Sequence, residues 1–382
     1  MTSLRNTREG PADRALDECG DAKSSTTRLW RLWQVETSFA CNLACIMCPW
    51  KRIREESEDG GLMDSSVWAA LRPHLPNVTE IDFSGGGEPL LNPHLAEWIA
   101  EAKQAGCKTG LLTNGSLLSE SAASRIVQAG VDWVAVSIDG ARAETFESIR
   151  RGADFETFRD NVRRLTDMRT DKTPRVTFNF VMMPLNVEQL QDIVRLAADL
   201  QVDQVNFKQC DVVRGAEERG FGLFASKEDR TIRRYEKSLG KARKLARKLR
   251  IATTAFAFLP DELPVCDQDP RGSLFVRYDG RVAPCINLAI GGSSCFLGKN
   301  VVVPTVHYGR LPDEELTSLW KTESCRLYRK RFEERVKAHD EVLARANFEP
   351  SLIKLQETFA KARQAMPEAP PGCRTCHYLY DI

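Results

Sequence analysis

Three cysteines fall in one short stretch, Cys41-Asn-Leu-Ala-Cys45-Ile-Met-Cys48, spaced C-x3-C-x2-C. Cysteine thiolates are the usual ligands of cube-type iron–sulfur clusters, which ordinarily take four. A compact loop that supplies three leaves one iron open. The amino and carboxylate groups of an amino-acid ligand can chelate that position, and an electron passed from the reduced cluster into a nearby sulfonium would break a C–S bond. A zinc knuckle needs four protein ligands, generally in two close pairs, and no fourth ligand stands near these three. The spacing therefore predicts a [4Fe–4S] cluster with one open iron.

A second set lies downstream: Cys266, Cys285, Cys295, Cys325, Cys373 and Cys376. Between the first two, Phe275-Val-Arg-Tyr-Asp-Gly280-Arg-Val-Ala-Pro reads as a β-hairpin turned by Asp279-Gly280, the type of pair that favours a tight turn, and it would present Cys285 at its end. Cys373-x2-Cys376-His377 also matches the c-type haem attachment motif. That chemistry belongs outside the cytoplasm, so His377 is taken as ordinary.

Twelve cysteines in a chain without an export signal point to metal or redox chemistry rather than disulfides. The N-terminus is polar and lacks an apolar core, and the sequence contains no run long enough to span a membrane. The expected location is cytoplasmic. A net charge of +1 gives no reason to expect nucleic acid or an acidic membrane as partner.

The elements that must position these residues alternate strand with helix. Strands are expected at Trp33–Thr37, Glu80–Ser84, Thr109–Thr113, Trp133–Ile138, Val176–Met182 and Gln204–Phe207. Helices are expected at Ser65–Leu75, His94–Ala105, Ser119–Ala129, Ala143–Ile149, Phe155–Met168 and Val187–Leu200. Such a repeat makes an α/β fold with a parallel sheet, whose chemistry sits in the loops at the strand carboxyl ends. A basic helix is expected over Glu228–Arg250, with Leu245 and Leu249 turned inward, and further helices over Asp313–Ala338 and Leu352–Gln364. Residues 1–28 carry no period and are expected to be a polar tail.

Placed after a first strand, the cysteine motif resembles that of the radical S-adenosylmethionine (SAM) superfamily, and the resemblance runs through about residues 30–210. It implies a partial (β/α)6 barrel over residues 29–255, a SAM-binding [4Fe–4S] cluster on Cys41, Cys45 and Cys48, and a 5′-deoxyadenosyl radical as oxidant. Ser84-Gly85-Gly86-Gly87-Glu88-Pro89 looks like the family's GGEP segment, with Gly86, Gly87 and Glu88 expected against the SAM ammonium group. By the same resemblance Ser137 and Arg150 would hold its carboxylate or ribose, and Met182 would lie against the adenine. Thr113-Asn114-Gly115 also matches many relatives. Met47 departs from the pattern, since many members carry an aromatic residue just before the third cysteine.

Cys266-x13-Gly280-x4-Cys285, followed by Cys373-x2-Cys376, resembles the small cysteine-rich twitch domain, the short form of the SPASM domain. This implies one auxiliary [4Fe–4S] cluster on Cys266, Cys285, Cys373 and Cys376 within a unit of residues 256–382, with a helical insertion over about 296–370 that is expected to shape a substrate cap. Cys295 or Cys325 could replace one of these ligands. Otherwise those two, with Cys19, Cys107 and Cys210, are expected to be free thiols.

The activity implied is oxidoreductase-type: hydrogen abstraction from a C–H of a small molecule (a sugar, aminocyclitol or other biosynthetic intermediate), with the auxiliary cluster assisting its oxidation or modification. An external reductant such as flavodoxin or ferredoxin would supply electrons. The alternatives are a peptide- or protein-modifying maturase and, outside enzymes, an iron–sulfur carrier or electron-transfer protein. The absence of an evident leader-binding domain before residue 30 favours the small molecule.

Overall fold

The computed structural model describes residues 28–55, 61–210, 212, 214, 220–223, 229–346 and 351–382. The expected tail, up to residue 27 and including Cys19, lies outside the described residues.

The six expected strands form: β1 (Trp30–Val35), β2 (Val78–Phe83), β3 (Lys108–Thr113), β4 (Trp133–Ser137), β5 (Arg175–Met182) and β6 (Gln204–Gln209). They run parallel in sequence order, and two further parallel strands flank them, β7 (Ala252–Ala255) beside β6 and β8 (Ser273–Val276) beside β1. β9 (Arg281–Ala283) turns back on β8, and β12 (Gly309–Arg310) on β9, giving an open ten-stranded sheet with β12 and β7 at its edges. β10 (Gly292–Phe296) and β11 (Lys299–Val303) make a separate hairpin.

Alternation along the strands explains the layering. One face carries Trp33, Val35, Ile81, Phe83, Leu111, Val134, Val136, Phe178, Phe180, Val205 and Phe207, all fully buried in the main core. Helices cover this face, and several start on a side-chain cap: Asp64, Ser119 and Asp154 accept from the backbone N–H of Ser66, Ala122 and Thr157. The other face is polar. Ser137, Asn179, Asn206 and Thr254 are successive neighbours in register across β4, β5, β6 and β7. Asn206 Nδ2 donates to Asn179 Oδ1 at 2.9 Å, and Thr254 Oγ1 donates to Asn206 Oδ1 at 2.6 Å.

The basic helix spans Asp229–Leu249. Its inward stripe is Tyr235, Leu239, Ala242 and Ala246, whereas Leu249 is 40% exposed. The expected inward Leu249 is therefore corrected: the stripe runs out before the last turn. The long C-terminal helix expected from Asp313 is broken, with one turn at Leu316–Leu319 and a new start at Glu323, capped by Thr322, that runs to Ala344. A further helix spans Leu352–Ala365.

The C-terminal segment is laced to the chain leaving β7. Ala257, Asp261 and Leu263 donate backbone N–H groups to the carbonyls of Asp381, Tyr380 and Leu379 at 2.9, 2.9 and 2.8 Å. This lacing carries Cys373 and Cys376 back to the neighbourhood of Cys266.

Candidate iron–sulfur and SAM site

The loop holding Cys41, Cys45 and Cys48 leaves the carboxyl end of β1 and is pinned by backbone bonds. Ala44 and Ile46 donate to the carbonyls of Arg151 and Ile149, both at 2.9 Å, and Glu88 N–H donates to Ala40 at 2.8 Å. Leu43, Cys45 and Met47 pack with Ile149, Met183 and Cys210 in a small apolar cluster of their own. Each of the three sulfurs then has a side-chain N–H directed at it. Arg54 donates through both Nη atoms to Cys48 Sγ at 3.5 Å, Arg150 Nη1 to Cys45 Sγ at 3.9 Å, and Asn114 Nδ2 to Cys41 Sγ at 3.9 Å.

Burial pushes the Cys45 thiol up to about 11, opposed by the Arg150 charge, and raises Cys41 as well. Bare thiols here favour the protonated form. A bound metal centre would reverse that preference, and donors aimed at sulfur stabilise the thiolates it needs. The donor set therefore fits a thiolate-bound cluster.

The glycine segment lies against this loop. A Cβ on Gly86 would come within 2.6 Å of the Phe39 ring, and one on Gly87 would run into the Ser38 and Ala40 carbonyl oxygens, so only glycine permits the approach. The Glu88 carboxylate is buried and turned inward. It accepts from Thr113 Oγ1 and Asn114 N at 2.7 Å and from Leu90 N at 3.2 Å. Burial pushes its pKa up to about 7.

Arg150 is buried in an ion pair with Asp139 at 2.7 Å, and its Nε is buried without a hydrogen-bond partner among the described residues. Ser137 is half-buried at the end of β4. Met182 is fully buried in the main core, while its neighbour Met183 joins the cysteine-loop cluster. Strand alternation separates the two methionines.

The second cysteine set also assembles. Cys266, Cys285, Cys373 and Cys376 come from three separate segments yet lie within electrostatic reach of one another. Burial pushes Cys266 and Cys285 each up to about 12 and holds Cys373 well above the ordinary thiol range. Backbone N–H groups of Gln268 and Asp269 serve Cys266, those of Asn287 and Leu288 serve Cys285, and Asn287 Nδ2 donates to Cys376 Sγ at 3.9 Å. Again the surroundings are donors, and the set fits a four-thiolate cluster.

Among the described residues no three His, Cys, Asp or Glu side chains close around a single ion. No disulfide joins any two of the described cysteines. Cys325 is buried close to Tyr308 and Cys107 donates to the Leu75 carbonyl at 3.3 Å, while Cys295 sits on the β10–β11 hairpin.

The family resemblance pointed to Arg150, but sequence patterns did not reveal Arg54 or Arg335. Arg335 is buried on the helix Glu323–Ala344 and reaches both segments that lead to auxiliary cysteines. It donates to the carbonyls of Leu263 at 3.0 Å and Pro264 at 3.1 Å, to Pro367, and to Glu262 Oε1 at 2.7 Å. The stripe Cys325, Tyr328, Phe332 and Arg335 is the buried face of that helix.

The signature of the radical SAM superfamily matches residues 35–197, and that of SPASM, an iron–sulfur cluster-binding domain, matches residues 266–342. Residues 35–197 thus match a radical SAM domain and residues 266–342 a SPASM domain. With these come a [4Fe–4S] cluster, SAM and additional iron–sulfur binding.

Among individual proteins, the chain is 26% identical over 302 residues (77% of this chain, 82% of the relative) to the tungsten-containing aldehyde ferredoxin oxidoreductase cofactor-modifying protein of Pyrococcus furiosus. SuiB of Streptococcus suis, solved with SAM, superposes with a TM-score of 0.58 at 13% identity. That match covers 77% of this chain and 66% of SuiB, so the chain spans about two thirds of SuiB's length. The enzyme anSMEcpe, solved with SAM and the Kp18Cys peptide, gives 0.59 at 16% identity, covering 88% of this chain and 98% of that one. At these identities the likeness to solved structures is one of fold. No helix among the described residues is long and apolar enough to cross a membrane.

Proposed function

We propose that this chain is a radical SAM enzyme that abstracts hydrogen from a C–H of a polar small molecule, such as a sugar, an aminocyclitol or a related biosynthetic intermediate. The observation that carries the reading is the sorting of seven thiols into a group of three and a group of four, each ringed by N–H donors. Cys41, Cys45 and Cys48 are assigned to the SAM-binding cluster, and Cys266, Cys285, Cys373 and Cys376 to an auxiliary one. Residues 29–255 would form the SAM unit and residues 256–382 the auxiliary unit. When bound, cluster and SAM supply a 5′-deoxyadenosyl radical by reductive C–S cleavage, and the auxiliary cluster supplies a place for the substrate's remaining electron.

The protein's own part is binding and exclusion. Gly86 and Gly87 let backbone approach the amino-acid end of SAM. Glu88 fixes the ends of β2 and β3 from within and keeps that backbone in place. Arg150, aligned by Asp139, holds positive charge beside Cys45 and is assigned, with Ser137, to the carboxylate or ribose of SAM. Met182, in the wall behind, is the residue assigned to the adenine side. The polar face of Gln34, Asp82, Asn179, Asn206 and Thr254 favours a hydrogen-bonding substrate.

A second reading, modification of a peptide, is favoured by the relatives: SuiB has been solved with the precursor peptide SuiA, and anSMEcpe with peptides. Reduced, reconstituted protein should form 5′-deoxyadenosine and methionine from SAM. The joint change of Cys41, Cys45 and Cys48 to Ala should abolish this while leaving one cluster whose spectrum ignores SAM. Retained cleavage would overturn the assignment, and a wild type that holds clusters but never forms 5′-deoxyadenosine would make it an electron carrier. Stimulation of 5′-deoxyadenosine formation by the dialysable fraction of a cell extract supports the small molecule, and stimulation by the retained fraction supports the peptide.

A further inference from the structure

A chain of contacts runs from the first cysteine loop to the second cysteine group. Trp50 stands two residues after Cys48, and the Arg214 guanidinium lies over its ring, 4.7 Å from the centroid. Arg214 Nη2 donates to Asn287 Oδ1 at 2.6 Å, and Nη1 donates to the Gly291 carbonyl. Asn287 Nδ2 then donates to Cys376 Sγ at 3.9 Å.

A carboxamide has one acceptor and one donor end. With its oxygen held by a cation, the Asn287 amide can present only N–H to the sulfur. Asn287 is buried at the start of the short helix Ile286–Ile290, just after Cys285, so the amide has little room to turn. Trp50 in turn gives the guanidinium a flat seat that its planar fork suits.

We infer that Arg214 is a positioning residue for the auxiliary site: seated on Trp50 of the SAM-cluster loop, it orients the Asn287 amide so that its N–H faces the Cys376 thiolate and raises that cluster's reduction potential. Hydrogen bonds to ligand sulfur stabilise the more negative, reduced cluster and so raise the potential. This rests on the proposed assignment of Cys376 as a cluster ligand. The consequence is that the seat of an auxiliary-site determinant lies on the SAM-cluster loop.

The test is an EPR-monitored redox titration of the anaerobically reconstituted full-length protein. Arg214→Met should keep the wild-type iron content and leave the SAM-cluster potential unmoved, while the auxiliary potential falls. Arg214→Lys, which keeps the charge but not the planar fork, should recover only a minor part of the fall. Asn287→Ala should lower the potential by itself, and adding Arg214→Met to it should lower it little further, because Arg214 acts through the amide. An unmoved auxiliary potential in Arg214→Met overturns the inference, as does full recovery by Arg214→Lys, which would mean that charge alone matters. If Arg214→Met sheds the auxiliary iron, Asn287→Ala decides: an unchanged potential there overturns the inference, and a lowered one upholds it. A wild type that binds a single cluster would instead refute the underlying ligand assignment.

Discussion

Glu36 shows how one residue can set the geometry of a site it does not enter. It follows β1, is fully buried, and accepts from Gly86 N–H at 2.7 Å and Tyr278 N–H at 3.4 Å, with Arg277 at 4.0 Å. One carboxyl thus joins the ends of β1, β2 and β8. Burial outweighs these partners and pushes its pKa from 4.5 up to about 7. The folded state therefore holds a proton that the unfolded chain has released, and the stability this group contributes is present below about pH 4.5 and lost as pH rises through about 7. Glu36→Gln removes that titration. Relative to this variant, the wild type should lose stability between about pH 5 and pH 8 by roughly 3 kcal/mol at most, measured by denaturant unfolding at the two pH values. A relative gain would show that the charged form is the favoured one. None of this was legible in the sequence, where Glu36 is one acidic residue inside the expected strand Trp33–Thr37. The cysteines were legible because ligand spacing within a loop is local. Their partners Arg54, Asn114 and Arg150 were less so, because a donor to sulfur can come from any element that folds back.

Among the elements, the helix Glu323–Ala344 has the clearest task. Its buried stripe is apolar and aromatic until Arg335, which ends it with a fork into the segments before Cys266 and Cys373. The sequence suggested a substrate cap, and these contacts favour instead a brace for the auxiliary site. Arg335→Ala should leave buried carbonyls unpaired and cost roughly 3–5 kcal/mol locally. Iron should fall from about eight per chain toward about four, with SAM cleavage retained. A cap alone would lose substrate turnover without losing iron, so iron analysis separates the two roles. Elements with a clear period were readable: β1 to β6 alternate or run apolar between turn residues, and the helices between them carry caps. β8 was half-read, as one arm of the hairpin at Asp279-Gly280, but its parallel pairing with β1 was not, since no local pattern specifies a partner so distant in sequence. β7 was missed because Ala-Thr-Thr-Ala has almost nothing to bury, and the break before Glu323 was missed because the helical pattern continues through it.

For the molecule as a whole, the pairing of β8 with β1 makes the amino-terminal strand depend on the carboxyl-terminal third. Leu32 pairs with Ser273 and Val35 with Val276, and the Phe39 and Tyr278 rings stack at 5.5 Å beyond the strand ends. A chain ended near residue 260 keeps every strand from β1 to β7 but leaves one side of β1 bare, an open edge of the kind that recruits other chains. Such a truncation should elute from size exclusion largely as soluble aggregate, whereas the full chain should give a discrete species. The same dependence acts during synthesis. β2 follows β1 out of the ribosome within about 45 residues, but β8 arrives only some 240 residues later, and at roughly 5–20 residues per second that is an interval on the order of 10–50 s. Through that interval the half-made protein carries an unfilled pairing site on its first strand. Crowded polysomes would let neighbouring nascent chains compete for it, so slower initiation, which spaces ribosomes apart, should raise the yield of correctly folded protein.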